Sequence, residues 1–175
     1  MTTTPDDLTL WRRRQEAGEP LPWEGVRLLD DGERPALLDH GYLTDADRAN
    51  PDVMANVGAI DETAALITWV AEDEDEPQAW GYWRGPDDAF ADRPPVVSYD
   101  SEGQFYLQPG ANLTEVLCSA YGEWADDGYE GLAEECRRLG VEVSEDDPIT
   151  LPNPDVSPTP AGVHRAAYDR LLAEG

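Results

Sequence analysis

The longest apolar run of the chain is Ala64-Ala65-Leu66-Ile67-Thr68-Trp69-Val70-Ala71, broken only by Thr68. Its length and its β-branched and aromatic content predict a strand covered on both faces. Five consecutive acids and a proline follow, Glu72 to Pro77. Adjacent carboxylates repel and proline withholds a ladder donor, so this stretch predicts an exposed connection. Gln78 to Arg84 is the next strand, and the pleat puts Trp80 and Tyr82 on one face and Trp83 on the other. After a polar loop ending at Pro94-Pro95, Val96 to Tyr99 and Gln104 to Leu107 flank Asp100-Ser101-Glu102-Gly103. Two short strands around four turn residues ending in glycine predict a hairpin with that glycine in a left-handed conformation. Residues 64–108 therefore read as consecutive, mostly antiparallel strands of one sheet.

Helical spacing appears on either side. Thr4-Pro5-Asp6-Asp7 supplies a cap, a proline at the first helical position and early acids, which predicts a helix over 5–17 ended by Gly18. Its triplet Arg12 to Arg14 suits the C-terminal end of the helix dipole or pairing with nearby acids. Residues 19–43 are punctuated by proline and glycine, with a short strand at Val26 to Leu29 and a short helix near Pro35 to Leu38. Thr44-Asp45-Ala46-Asp47 opens a helical turn before Pro51. Downstream, Asn112 caps a helix with Glu115 three residues later, and Leu113, Val116, Leu117, Ala120, Tyr121 and Trp124 recur on one face. The triplet Asn112-Leu113-Thr114 matches a glycosylation acceptor but reads as this helix start. Tyr129 to Leu139 forms another helix with Gly140 past its end. Pro148 to Pro158 is proline-rich and extended, and Thr159-Pro160 starts a last helix through Leu172. The fold class is α+β, a central sheet packed by helices.

With 175 residues the chain fits one domain, and 40% hydrophobic content is too apolar for a disordered acidic polymer. Charge changes the picture more than length does. Twelve basic residues, all arginine, face 38 acidic ones, for a net charge of −26. Such a field repels nucleic acid and anionic lipid and attracts basic proteins. No nucleic-acid and no membrane partner is expected, because the longest apolar run is also far short of the ~20 residues that span a bilayer. The polar, acidic start, Met1 to Asp7, is unlike an export signal, and Cys118 and Cys136 make neither a disulfide framework nor a zinc site, so the reducing cytoplasm is the expected location.

Candidate chemistry is sparse. His40 and His164 stand far apart and outside any metal or nucleophile pattern. A phosphate-binding glycine loop, a zinc-protease helix and a nucleophile elbow are all missing, so no enzyme activity, cofactor or metal is expected. The run Glu72 to Glu76 lacks the glycine and later glutamate of a calcium loop. A hydrolase using paired carboxylates stays open as an alternative and would need a concave pocket holding two carboxyls with separated pKa values. A regulatory scaffold is another.

The stretch Trp80-Gly81-Tyr82-Trp83-Arg84-Gly85-Pro86, then Pro95-Val96-Val97, Asp100-Ser101-Glu102-Gly103-Gln104-Phe105 and Asn112-Leu113-Thr114-Glu115-Val116-Leu117 resembles the core of the SUKH superfamily (Smi/Knr type) over about residues 56–140. That superfamily holds bacterial immunity proteins and fungal regulators of cell-wall synthesis. The resemblance implies a single domain over 1–175, with an N-terminal extension 1–55 and a helical tail 141–175 around an antiparallel sheet with helices on one side. It also implies a non-catalytic immunity protein that neutralises a cognate toxin by binding it, the toxin being basic by charge complementarity. The expected partner-binding residues are the acids Glu72, Asp73, Glu74, Asp75 and Glu76, with Trp83 and Arg84 as aromatic and arginine anchors.

Overall fold

The computed structural model describes residues 6–90, 94–122, 128–144 and 147–174. Helix α1 (Asp6–Glu16) is followed by strand β1 (Val26–Leu28), a 3-10 turn at Ala36–Leu38, and helices α2 (Asp45–Arg48) and α3 (Pro51–Ala64). Strands β2 (Ile67–Asp73), β3 (Gln78–Trp83), β4 (Val96–Asp100) and β5 (Phe105–Leu107) come next, then helices α4 (Leu113–Gly122), α5 (Gly128–Arg138) and α6 (Pro160–Glu174). The predicted α1 cap at Thr4-Pro5 and the α4 position Trp124 lie outside the described residues.

The five strands form one sheet in the order β1-β2-β3-β4-β5, each antiparallel to its neighbour. Strands β2 to β5 follow one another as a meander, whereas the connection from β1 to β2 runs through α2 and α3. Gly103 in the β4–β5 turn has φ +77°, the left-handed geometry its sequence position predicts. In β2 the register shifts between Trp69 and Ala71. The extra residue, Val70, puts Trp69 on one face and both Val70 and Ala71 on the other. Gly81 sits opposite Trp69 in that register, and a Cβ there would lie 2.4 Å from Ile67 Cγ2 and 2.8 Å from the Thr68 carbonyl. Only glycine lets β2 and β3 approach this closely.

Both faces of the sheet are covered by helices, a correction to the one-sided arrangement implied by the resemblance. On one face Val70, Ala71, Trp80, Tyr82 and Val96 pack with Leu8 and Trp11 of α1, Leu113 and Leu117 of α4 and Ala133 of α5. On the other, Ile67, Trp69, Ala79, Trp83, Val97 and Phe105 pack with Ile60 and Ala64 of α3 and Val163 of α6. Each large apolar side chain buried this way contributes about 1.5–3 kcal/mol.

Helix α3 accounts for the second layer, and it also moves the start of β2. Ala64 is its last residue and Ala65 its C-cap, so the strand begins at Ile67 rather than at residue 64. Asn50 accepts a hydrogen bond from Asp52 N, and Pro51 occupies the first turn. Midway, Gly58 faces Leu171 of α6, whose Cδ1 would lie 2.8 Å from an added Cβ. The absent side chain lets α6 settle against α3.

Two buried carboxylates anchor α4. Asp7 of α1 accepts from Thr114 N (3.2 Å) and Thr114 Oγ1 (2.9 Å), while Trp11 Nε1 donates to that hydroxyl at 2.8 Å. Glu115, fully buried, accepts from Ala111 N and Ser144 N, and its own N–H bonds Asn112 Oδ1 at 2.9 Å. The Asn112/Glu115 pair is thus a cap in which the glutamate reaches one residue beyond the cap nitrogen. Acids at a helix N-terminus are favoured by its dipole and its unpaired N–H groups. Across the α4–α5 contact Cys118 and Cys136 are free and buried, 3.7 Å apart, and the neighbouring thiol together with burial pushes the Cys118 thiol up.

Candidate functional site

The acidic run Glu72 to Glu76, expected as an exposed connection, divides in two: Glu72 and Asp73 end β2, paired with Ala79 and Gln78, and Glu74 to Glu76 form the turn. Glu72 faces inward and is buried, because it pairs with Arg27 of β1 and accepts from Ala36 N at 2.8 Å. Arg27 also reaches Glu33 (2.9 Å) and Glu74 (3.6 Å). Hydrogen bonds that Arg27 donates to Glu33 and Glu72 raise the guanidinium's pKa, and the same contact with Arg27 holds the exposed Glu33 below the ordinary carboxylate range. Asp73 closes the turn, with Oδ1 accepting from Asp75 N (2.8 Å) and Glu76 N (2.9 Å). Its other oxygen accepts from the Tyr121 hydroxyl, which burial and this carboxylate push upward. Glu74, Asp75 and Glu76 are exposed.

The two expected anchors are placed elsewhere. Trp83 is fully buried and its Nε1 donates to Pro158 O at 3.2 Å, so its ring belongs to the second core layer rather than to a contact surface. Arg84 bonds Asp88 Oδ1 (2.5 Å) and Ala65 O (2.6 Å), which ties the end of β3 to the end of α3. Of the seven residues read as partner-binding, the structure leaves Glu74, Asp75 and Glu76 as an outward group. It turns Glu72, Trp83 and Arg84 to internal contacts, with Asp73 as the turn's staple.

The histidines fall in separate places. His40 Nε2 lies 3.2 Å from Asp61 Oδ1, a carboxylate that also holds Arg34 at 2.8 Å. His164 lines a shallow groove of about 500 Å³ between α3 and α6, with Asp52, Val53, Asn56, Arg165 and Tyr168. Its ring stands 5.8 Å from that of Phe105, and burial, helped by Arg165, lowers its pKa. Arg165 lies over the Tyr168 ring at 5.9 Å and pairs with Asp169 at 3.1 Å. The groove offers one carboxyl, Asp52. One of its walls is α3, whose start at Asn50-Pro51-Asp52 carries a cap residue, a proline at the first helical position and an early acid.

Among the described residues, no three or more His, Cys, Asp or Glu side chains gather as a metal site, and no helix is long and apolar enough to cross a membrane. The arginines are largely engaged within the chain: Arg12 with Asp31, Arg14 with Glu19, Arg34 with Asp61, and Arg170 with Glu62. Compared with known proteins, the chain matches no family model, no curated protein and no solved structure.

Proposed function

We propose that this chain is a non-catalytic protein-binding module that occludes a basic protein partner, and that it acts as an immunity protein against a cognate toxin in the cytoplasm. The observation that carries the reading is electrostatic. The exposed tip of the β2–β3 hairpin presents Glu74, Asp75 and Glu76, on a chain of net charge −26 whose arginines mostly answer internal acids. Oriented negative fields capture positive partners and raise association rates by roughly 10 to 10³. The resemblance to immunity proteins supplies the biological setting.

The hydrolase alternative draws less support. The groove between α3 and α6 supplies one carboxyl, and among the described residues the carboxyls with shifted pKa, Glu33 and Asp47, are both lowered by local hydrogen bonds. A general acid needs a carboxyl held upward.

Co-expression with the polypeptide encoded beside this chain, followed by stopped-flow association at increasing ionic strength, tests the reading. The association rate should fall steeply with salt, and replacing Glu74, Asp75 and Glu76 with serine should lower it further at low salt. A complex whose rate ignores both changes would overturn the proposal.

A further inference from the structure

The sheet has two edges, and the chain treats them differently. Along β1 the bonded positions alternate: Glu74 N donates to Gly25 O at 2.9 Å and Leu29 N to Val70 O at 3.0 Å. The backbone groups of Val26 and Leu28 therefore face away from β2. The side chain of Gln15, from α1, meets both groups of Leu28, with Nε2 donating to its carbonyl at 3.0 Å and Oε1 accepting from its N–H at 2.8 Å. A side-chain amide stands where the peptide of another strand would otherwise pair. Val26 N is turned to Trp23 O at 3.4 Å. This edge is closed to strand addition.

Among the described residues no side chain caps the β5 edge in this way, although α6 packs on the face of β5 and Gly110 N, just beyond the strand, donates to Pro152 O at 2.9 Å. Gln108 N donates to Val96 O at 2.9 Å and Asp100 N to Gln104 O at 3.3 Å. Residues 104, 106 and 108 thus face β4, and Phe105 and Leu107 present their N–H and C=O outward. Among the described residues these outward groups have no hydrogen-bond partner. Beside them Tyr106 is 44% exposed, its hydroxyl donating to Gln104 Oε1 at 2.6 Å. Asp100 ends β4, its Oδ1 accepting from Glu102 N and Gln104 N at 3.0 Å, and Glu102 in the turn is exposed.

We propose that the β5 edge takes up an extended, basic segment of the protein partner as a sixth strand, main-chain bonded through Phe105 and Leu107. The inference rests on the binding reading above and names where that partner docks. Strand addition to an open edge uses the backbone for affinity and side chains for choice. Here Asp100 and Glu102 favour lysine or arginine, and Tyr106 offers a flat ring to their stems. A second copy of the chain fits less well, because it would bring the same acids to the same edge and add a body of net charge −26 to another.

The probe is a fluorescein-labelled octapeptide of alternating lysine and valine, with a serine–valine octapeptide as control. Binding is followed by anisotropy, and amide hydrogen exchange is read at Phe105 and Leu107. The lysine–valine peptide should slow exchange at those two amides by about tenfold or more, and the control should bind at least tenfold more weakly. Leu107→Pro removes an outward N–H without removing a ladder bond, so the sheet should persist while peptide affinity falls about tenfold. The exchange measurement on the unaltered protein stands even if that variant misfolds.

Failure of the peptide to bind, equal binding of the control, or binding without protection at Phe105 and Leu107 would overturn the proposal. Protection that grows with protein concentration in the absence of peptide would also overturn it and assign the edge to a second copy. Protection at Glu74 to Glu76 instead would sink the edge assignment while leaving the basic-partner reading intact. The salt dependence of whole-protein association tests that reading separately.

Discussion

His164 shows how a side chain with no recognisable motif can still leave a measurable trace. Phe105 packs beside its ring, and Asp52, Arg165 and Tyr168 border it in the groove. Burial and Arg165 hold its folded pKa below the ordinary value of 6.5. Between the folded and unfolded values the unfolded chain binds more protons, so stability rises with pH through that window. The contribution is present above about 6.5 and is lost as the pH falls through the folded value. Urea unfolding at several pH values should therefore show the wild type losing more stability between about pH 7 and pH 5 than His164→Gln does. The carboxylates titrate in both proteins and cancel in the comparison. The sequence placed His164 on the last helix correctly. Its partial burial depends on β5 lying beneath it, which no local pattern announces.

In the β2–β3 hairpin, five adjacent acids look alike in sequence and do different work. Pairing β2 with β1 puts Glu72 opposite Arg27, where it satisfies both that guanidinium and Ala36 N. Glu72→Ala would leave both the Arg27 guanidinium and the Ala36 N–H without their shared carboxylate and should cost roughly 1–3 kcal/mol by urea denaturation. Glu72→Gln keeps an acceptor and should cost less, and substitution of the exposed Asp75 by serine should stay within about 0.5 kcal/mol. Equal losses at Glu72 and Asp75 would refute this division. The strands themselves were readable from alternation and turn residues, as were the caps of α4 and α6. Helix α3 was missed because its sequence, PDVMANVGAIDETA, is rich in alanine and small residues. Its buried stripe is therefore weakly apolar, and its last residues merge with the run that opens β2.

The charge acts on the whole molecule in two opposing ways. Self-repulsion at net charge −26 destabilises the compact state. Raising sodium chloride from about 0.05 to about 0.5 M shortens the Debye length from about 14 Å to about 4 Å, and it should raise the thermal midpoint by several degrees. The same change should slow capture of a basic partner. A midpoint that falls with salt would mean that attractive pairs such as Arg27 with Glu72 and Arg170 with Glu62 outweigh the repulsion.

The sequence by itself determined the acidic field, the α+β class, the antiparallel order of the strands from β2 to β5 and most of the helix ends, because charge, pleat and capping act over a few residues. Only the tertiary structure decided that Trp83 is interior, that Glu72 is a buried partner of Arg27, and that one sheet edge is sealed by Gln15 while the other stays open. Each of these depends on elements distant in the chain meeting across the sheet. A side chain's exposure is set by what folds over it, and its own neighbours in sequence do not contain that information.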